Sequence, residues 1–216
     1  MSAPALIVGL AAEARIAAPL GWAVAVGGGG SAGADLVARR LVAEGAAALV
    51  SFGLAGGLDP RLRPGTLVVP VAVHVAGQDL RTDAALCQRL GGATAHRLLG
   101  TSTVAATAAA KRRLWQDSGA AAVDLESGAV AQVADAAGLP FAALRAICDP
   151  AERDLPPAAL AALDQHGAIG LARVIRSVLR HPGQLPALLG LARDAATARR
   201  ALLRRVAELR RAAAQA

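Results

Sequence analysis

The chain has 216 residues, enough for one α/β domain with a sizeable core, and 55% of it is hydrophobic, much of that alanine. Only 2% is aromatic, with no Tyr, which speaks against single-strand nucleic acid binding by base stacking. The formal net charge of +7 belongs to the tail: residues 170–216 carry ten Arg against Asp194 and Glu208, so the basicity describes a partner surface and not the chemistry of the core.

Taken in chain order, Ala5 to Gly9 is a short apolar run ending in glycine and predicts a buried first strand. Trp22 to Val26 reads as a second strand. The glycines at 27–30 then open a helix from Ser31 to Glu44, closed by Gly45. Ala46 to Phe52 is a third apolar strand, and Gly53 to Leu58 reads as a tight glycine loop. Asp59 to Gly65 is a turn cluster, and Thr66 to Val75 is β-branched and strand-like. The stretch from Ala76 to Thr103 gives no clear pattern. A helix is expected over Ala105–Gln116, a short strand over Ala121–Asp124, and a helix over Glu126–Ala137 with Val130, Val133, Ala134 and Ala137 on one face. Pro140 to Cys148 reads as another buried strand. Two helices, Pro157–Arg180 and Leu185–Ala213, finish the chain, broken near His181-Pro182-Gly183. Strands alternating with helices predict an α/β fold with a mixed, mostly parallel sheet and helices on both faces.

Cys87 and Cys148 are far apart and in no metal spacing, which suits a reducing, cytoplasmic compartment and no metal site. Met1 to Gly9 lacks the basic region of a signal peptide. The longest uncharged stretch, Ile16 to Ala34, contains Pro19 and a glycine block and reads poorly as a membrane span.

Gly28-x-Gly30-x-x-Gly33 formally matches a dinucleotide fingerprint, but the next strand ends Ser51-Phe52-Gly53 with no carboxylate to hold a ribose. A nicotinamide site is therefore rejected. Ligands in such sheets bind beyond the carboxyl ends of strands, which directs attention to Gly9–Arg15, Gly53–Gly57, Asp124–Ser127 and Cys148-Asp149. Asp149 follows a nine-residue run holding one charge, so partial desolvation would raise its proton affinity and make it an acid. The ordinary alternative is a carboxylate that caps the next segment or pairs with an arginine such as Arg145.

Asp124-Leu-Glu-Ser127 and Arg145-Ala-Ile-Cys-Asp149, separated by an amphipathic helix and a strand, resemble the paired signature of the nucleoside phosphorylase superfamily. They are more closely similar to the methylthioadenosine/adenosylhomocysteine nucleosidases. Gly53-Leu-Ala-Gly-Gly-Leu58 resembles that family's glycine loop, and Val8 to Arg15 its opening strand and acidic loop. The resemblance spans about residues 5–150. It implies a three-layer phosphorylase-like domain over residues 1–180 followed by a basic amphipathic helix over 181–216. It also implies cleavage of a purine N-glycosidic bond: Asp149 as acid at purine N7, and Glu126 accepting hydrogen bonds from the 2′ and 3′ hydroxyls beside Asp124. Leu125 would pack on the sugar, with Cys148 beside the acid. Gly53, Leu54, Ala55 and Gly56 would line the nucleophile's approach. Glu13 would activate water in a hydrolase; Arg15, with Gly9, would hold phosphate as co-substrate in a phosphorylase. No other cofactor is implied, and members often form homo-oligomers.

The chain departs from the nucleosidase pattern at several positions. Cys148 stands where Ser is usual, Asp124-Leu125 where Glu-Met is usual, and Leu54 where a hydroxyl residue is usual. The family's base-stacking aromatic is missing near Thr101–Thr107. The short chain, Phe52 to Asp59, Glu13-Ala-Arg15 and the Asp-Leu-Glu-Ser form resemble most the hopanoid-associated phosphorylases. That resemblance implies adenine release from adenosylhopane, with methylthioadenosine or adenosylhomocysteine as the soluble alternative and an inactive nucleoside-binding protein as the alternative of another class. Between Leu185 and Ala213, Leu188, Leu191, Ala195, Leu202, Val206 and Leu209 share one face, and Arg193, Arg200, Arg204 and Arg211 another. The first expectation is a helix packed on the domain or a partner subunit. The second is adsorption to an anionic membrane, peripheral to the inner bilayer. No nucleic acid partner is expected.

Overall fold

The apolar runs form strands, and the strands assemble into one mixed sheet. The computed structural model describes residues 4–162 and 180–215. Its strands are β1 (Ala5–Val8), β2 (Ala23–Val26), β3 (Leu49–Gly57), β4 (Leu67–Val68), β5 (Ala72–Val75), β6 (Gln78–Arg81), β7 (Arg97–Gly100), β8 (Ala122–Asp124) and β9 (Phe141–Asp149). The helices are α1 (Ala11–Ala17), α2 (Ser31–Ala43), α3 (Ala84–Arg89), α4 (Ala108–Ser118), α5 (Ser127–Ala136), α6 (Pro157–Ala162) and α7 (Leu185–Ala213). The expected helix over Pro157–Arg180 lies largely outside the described residues.

Period-2 alternation sorts side chains between two helical layers. Ala5, Ile7, Leu49, Phe141 and Ala143 pack in one core with Ala34, Ala38 and Leu41 of α2 and Val130 and Ala134 of α5. Leu6, Val8, Val50, Phe52 and Leu144 pack in another with Ile16 of α1, Leu86 of α3 and Ala198, Leu202 and Val206 of α7. The result is the expected three-layer α/β/α arrangement. The tail helix contributes its apolar face to the second core, as the first expectation for it held, and Arg193, Arg200, Arg204 and Arg211 are exposed. No described helix is long and apolar enough to cross a membrane.

The long strand β3 organises the sheet. It runs parallel to β9 along one edge, from Leu49↔Phe141 to Gly56↔Asp149, with an irregularity at Ala55/Gly56. Its other edge pairs in parallel with β1 as far as Phe52, then antiparallel with β8 at Gly56 and Gly57. The sheet therefore forks at β3, with β1 and β2 on one limb and β8, β7, β5 and β6 on the other. Such a fork opens a crevice beyond the strand ends.

Two expectations are corrected, and one unassigned stretch is filled. Gly53–Gly57 is the second half of β3 and not a loop, because neighbouring strands on both edges take up its backbone groups. Thr66–Val75 is two strands broken at Pro70: β4 pairs with β9, and β5 pairs with β6 and β7. The unread middle holds β6, α3 and β7, with Asp83 capping α3 by accepting from Leu86 N–H at 2.8 Å.

Candidate functional site

Four chain segments end at the fork. β1 runs into Gly9 and α1, which carries Glu13. β8 ends at Asp124, and Leu125 and Glu126 lead into α5. β9 ends at Asp149. β3 supplies Leu54, Ala55 and Gly56. A cavity of about 290 Å³ lies among them, lined by Glu13, Glu126 and Asp149 together with Asp124, Leu125 and Cys148. All four sequence-predicted carboxylates thus converge on one concave space.

Glu13 fills the gap that the fork leaves in the ladder. Its Oε1 accepts from Leu54 N–H at 2.9 Å, between the reach of β1 and that of β8. Its Oε2 accepts from Gly9 N–H at 3.0 Å and Leu10 N–H at 2.9 Å, closing the first turn of α1. A side chain at Gly53 (φ +153°) would put its Cβ 2.5 Å from Glu13 Oε1 and 2.7 Å from an Arg145 nitrogen. That close approach is why the strand is glycine-rich here.

Arg145, on β9, is fully buried and organises the acidic groups at the end of β8 and the start of α5. Its Nε lies 2.5 Å from Asp124 Oδ2, and its Nη2 lies 3.1 Å from Glu126 Oε2. It also donates to Ser51 Oγ at 2.5 Å and to Ser127 Oγ at 3.0 Å. Asp124 accepts further from Ser127 N–H at 2.9 Å and from its hydroxyl at 2.5 Å. Asp124 is thereby fully engaged by Arg145 and Ser127, whereas Glu126 keeps Oε1 toward Gly9, where a Cβ would come within 2.5 Å of it. Burial pushes the Glu126 carboxyl up to about 7; Arg145 opposes this, and Asp124 and Glu13 add to it.

Asp149 is not paired with Arg145, as the ordinary reading of it allowed, because Arg145 is taken by Asp124 and Glu126. Its partner is Lys111 of α4, whose Nζ lies 2.5 Å from Asp149 Oδ2. Oδ1 is buried and has no hydrogen-bond partner among the described residues. Burial pushes the Asp149 carboxyl above its ordinary range, with Lys111 pulling the other way. Burial also pushes the neighbouring Cys148 thiol up to about 12, so it stands neutral beside the acid.

Arg15 is exposed on α1 and does not line the cavity, whereas Gly9 sits directly under Glu126. Sequence reasoning missed two contributors. Lys111 sits in the run Lys111-Arg112-Arg113, which looks like a solvated face. Leu191 and Ala195 of the tail helix line the cavity, joined by Leu155 and by Ala159 and Leu160 of α6. Their spacing on one apolar face was visible, but its contact with the site was not.

Together these features define an α/β enzyme with an acidic site at a topological switch point. A family model of the phosphorylase superfamily matches residues 21–90 and 87–180, and the chain belongs to that superfamily. The fold is similar to that of a methylthioadenosine/adenosylhomocysteine nucleosidase from Neisseria meningitidis, solved with methylthio-immucillin-A. The TM-score is 0.70 at 16% identity, covering 97% of this chain and 98% of that one. It is similar also to futalosine hydrolase of Helicobacter pylori, with a TM-score of 0.67 at 15% identity and coverage of 96% and 97%. A Colwellia psychrerythraea nucleosidase with adenine bound gives 0.63 at 19% identity, covering 86% and 96%. No curated protein sequence gives a significant match.

Proposed function

We propose that the protein cleaves the N-glycosidic bond of a purine nucleoside, releasing adenine. The observation that carries this reading is the convergence of Asp149, Glu126 and Glu13 on one cavity at the sheet's fork. Asp149 donates its proton to purine N7 as the C1′–N9 bond breaks, so the electron pair leaves on a neutral base. Glu126 accepts hydrogen bonds from the 2′ and 3′ hydroxyls, and its charge steadies the cationic ribose. Glu13 takes a proton from water, whose oxygen forms the new bond to C1′. Water is preferred to phosphate because Arg15 is exposed, and the cations lining or adjoining the cavity, Lys111 and Arg145, are already held by carboxylates.

For the substrate we favour adenosylhopane. Support comes from the apolar part of the cavity lining, where Leu54, Leu155, Ala159, Leu160 and Leu191 offer a surface to a 5′ substituent. Leu160 at 38% and Val104 at 38% exposure leave that wall open to solvent. Leu185 and Leu189, exposed on α7 within two turns of Leu191, would meet a bilayer that holds such a lipid. The second reading is a methylthioadenosine/adenosylhomocysteine nucleosidase, favoured by the similarity in fold to such enzymes.

The test is to follow adenine from adenosylhopane in anionic liposomes and from methylthioadenosine in solution, each with and without phosphate. Faster release from the lipid without phosphate, and co-sedimentation of the protein with the liposomes, is the expected outcome. Release from methylthioadenosine alone, with protein left in the supernatant, would sink the lipid reading. Release strictly dependent on phosphate would replace water as the nucleophile.

A further inference from the structure

Lys111 lines the cavity, and the mechanism above gives it no step. It lies on α4, outside the segments that carry the family resemblance, and its side chain has no solvent exposure. An ammonium removed from water is costly unless every donor is satisfied. Here all three are: Nζ donates to Asp149 Oδ2 at 2.5 Å, to Pro150 O at 3.0 Å and to Arg153 O at 2.9 Å. With no donor left over, Lys111 has nothing to offer a substrate, and its action is on the chain around it.

The acceptors show what that action is. Pro150 and Arg153 belong to the segment directly after Asp149, and this segment is stitched to the start of α4 and the residues just before it at two more points. Leu155 N–H donates to Ala106 O at 2.8 Å, and Ala108 N–H donates to Asp154 Oδ1 at 2.7 Å. On its other side, Arg153 is ion-paired with Asp194 of α7. Lys111 thus pins one carboxylate oxygen and the chain that follows it, leaving Oδ1 of a cavity-lining acid without a partner among the described residues.

We propose that Lys111 is a positioning residue that fixes the Asp149 carboxyl so that Oδ1 alone carries and delivers the proton to the departing purine. This rests on the reading of Asp149 as the acid. The proton moves from Asp149 Oδ1 to N7 as the C1′–N9 bond breaks, and the resulting carboxylate is left paired with the Lys111 side chain. The cation also makes the acid stronger, because it favours the ionised product of the transfer. The charged groups facing Asp149 are Lys111 from α4, Arg153 from the following segment and Asp194 from α7, with Glu13 and Glu126 lining the same cavity.

The test uses the full chain with K111M, K111Q, K111R and D149N, all checked for folding by circular dichroism. The pH profile of adenine release is measured on whichever nucleoside the wild type cleaves. Loss of the cation in K111M and K111Q moves the alkaline limb of kcat up by about one to three pH units. It lowers kcat at the optimum by about tenfold or more and leaves KM near wild type. K111R, which keeps the charge, leaves the limb in place. A limb that does not move in either uncharged variant overturns the proposal, as does a loss confined to KM. If K111M is unfolded, K111Q, which retains two donors without charge, decides alone, and should it also be unfolded, a limb displaced in K111R overturns the proposal and one left in place upholds it. Activity retained in D149N would instead remove the reading of Asp149 as the acid.

Discussion

Arg145 meets two carboxylates and two hydroxyls with no access to solvent, and the identity of its partners determines what the neighbouring acids are free to do. By engaging Asp124 together with Ser127 while meeting Glu126 at one oxygen, it gives the two acids of one short motif different tasks. Glu126, pushed up to about 7 chiefly by burial, takes up a proton as pH falls through that value. Once protonated it can no longer accept from both ribose hydroxyls. The acid limb of kcat/KM, which reports the free enzyme, should therefore lie near 7, with efficiency falling as pH drops through it. E126Q should abolish that limb and lower kcat/KM at all pH values. A limb that survives in E126Q would belong to another group. The same shift weakens the fold in the opposite sense: the native state holds this proton more tightly than the unfolded chain does, so the stability it contributes is present at low pH and fades as pH rises towards 7.

At the scale of elements, the tail helix α7 is both a structural and a site component. Leu202 is fully buried among Leu6, Val8, Phe52 and Leu144 from the sheet, and Leu191 and Ala195 line the cavity further up the same helix. L202A should destabilise the protein by about 2–5 kcal/mol, measured by urea unfolding. A change of a few tenths of a kcal/mol would mean that α7 is only loosely applied to the sheet. Much of this level was legible in the sequence. The apolar runs of β1 and β9 and the apolar face of α7 announced their elements almost to the residue. β3 was cut short because Gly53, Gly56 and Gly57 have the composition of a turn. Their actual role, clearance for Glu13, Arg145 and β8, depends on segments far away in the chain. β6 was missed because Gln78 to Arg81 is short, polar and mostly exposed on a sheet edge, where no burial pattern marks it.

For the molecule as a whole, the fork in the sheet converts separate strand ends into a single site. Asp149, Glu126 and Glu13 were singled out in the sequence because they follow strands. Their meeting requires β3 to hand its edge from β1 to β8 within three residues, a property of the assembled sheet that no local pattern carries. Lys111 was illegible for a related reason. A lysine in a basic run looks solvated until the segment after β9 folds over it. The claim on which all else depends is that Asp149 supplies the proton, and single-turnover release of adenine by wild type and folded D149N tests it directly. The rate should fall by about 10²–10⁴-fold in the variant. A variant as fast as the wild type would contradict the mechanism, because no amide at that position can protonate the base.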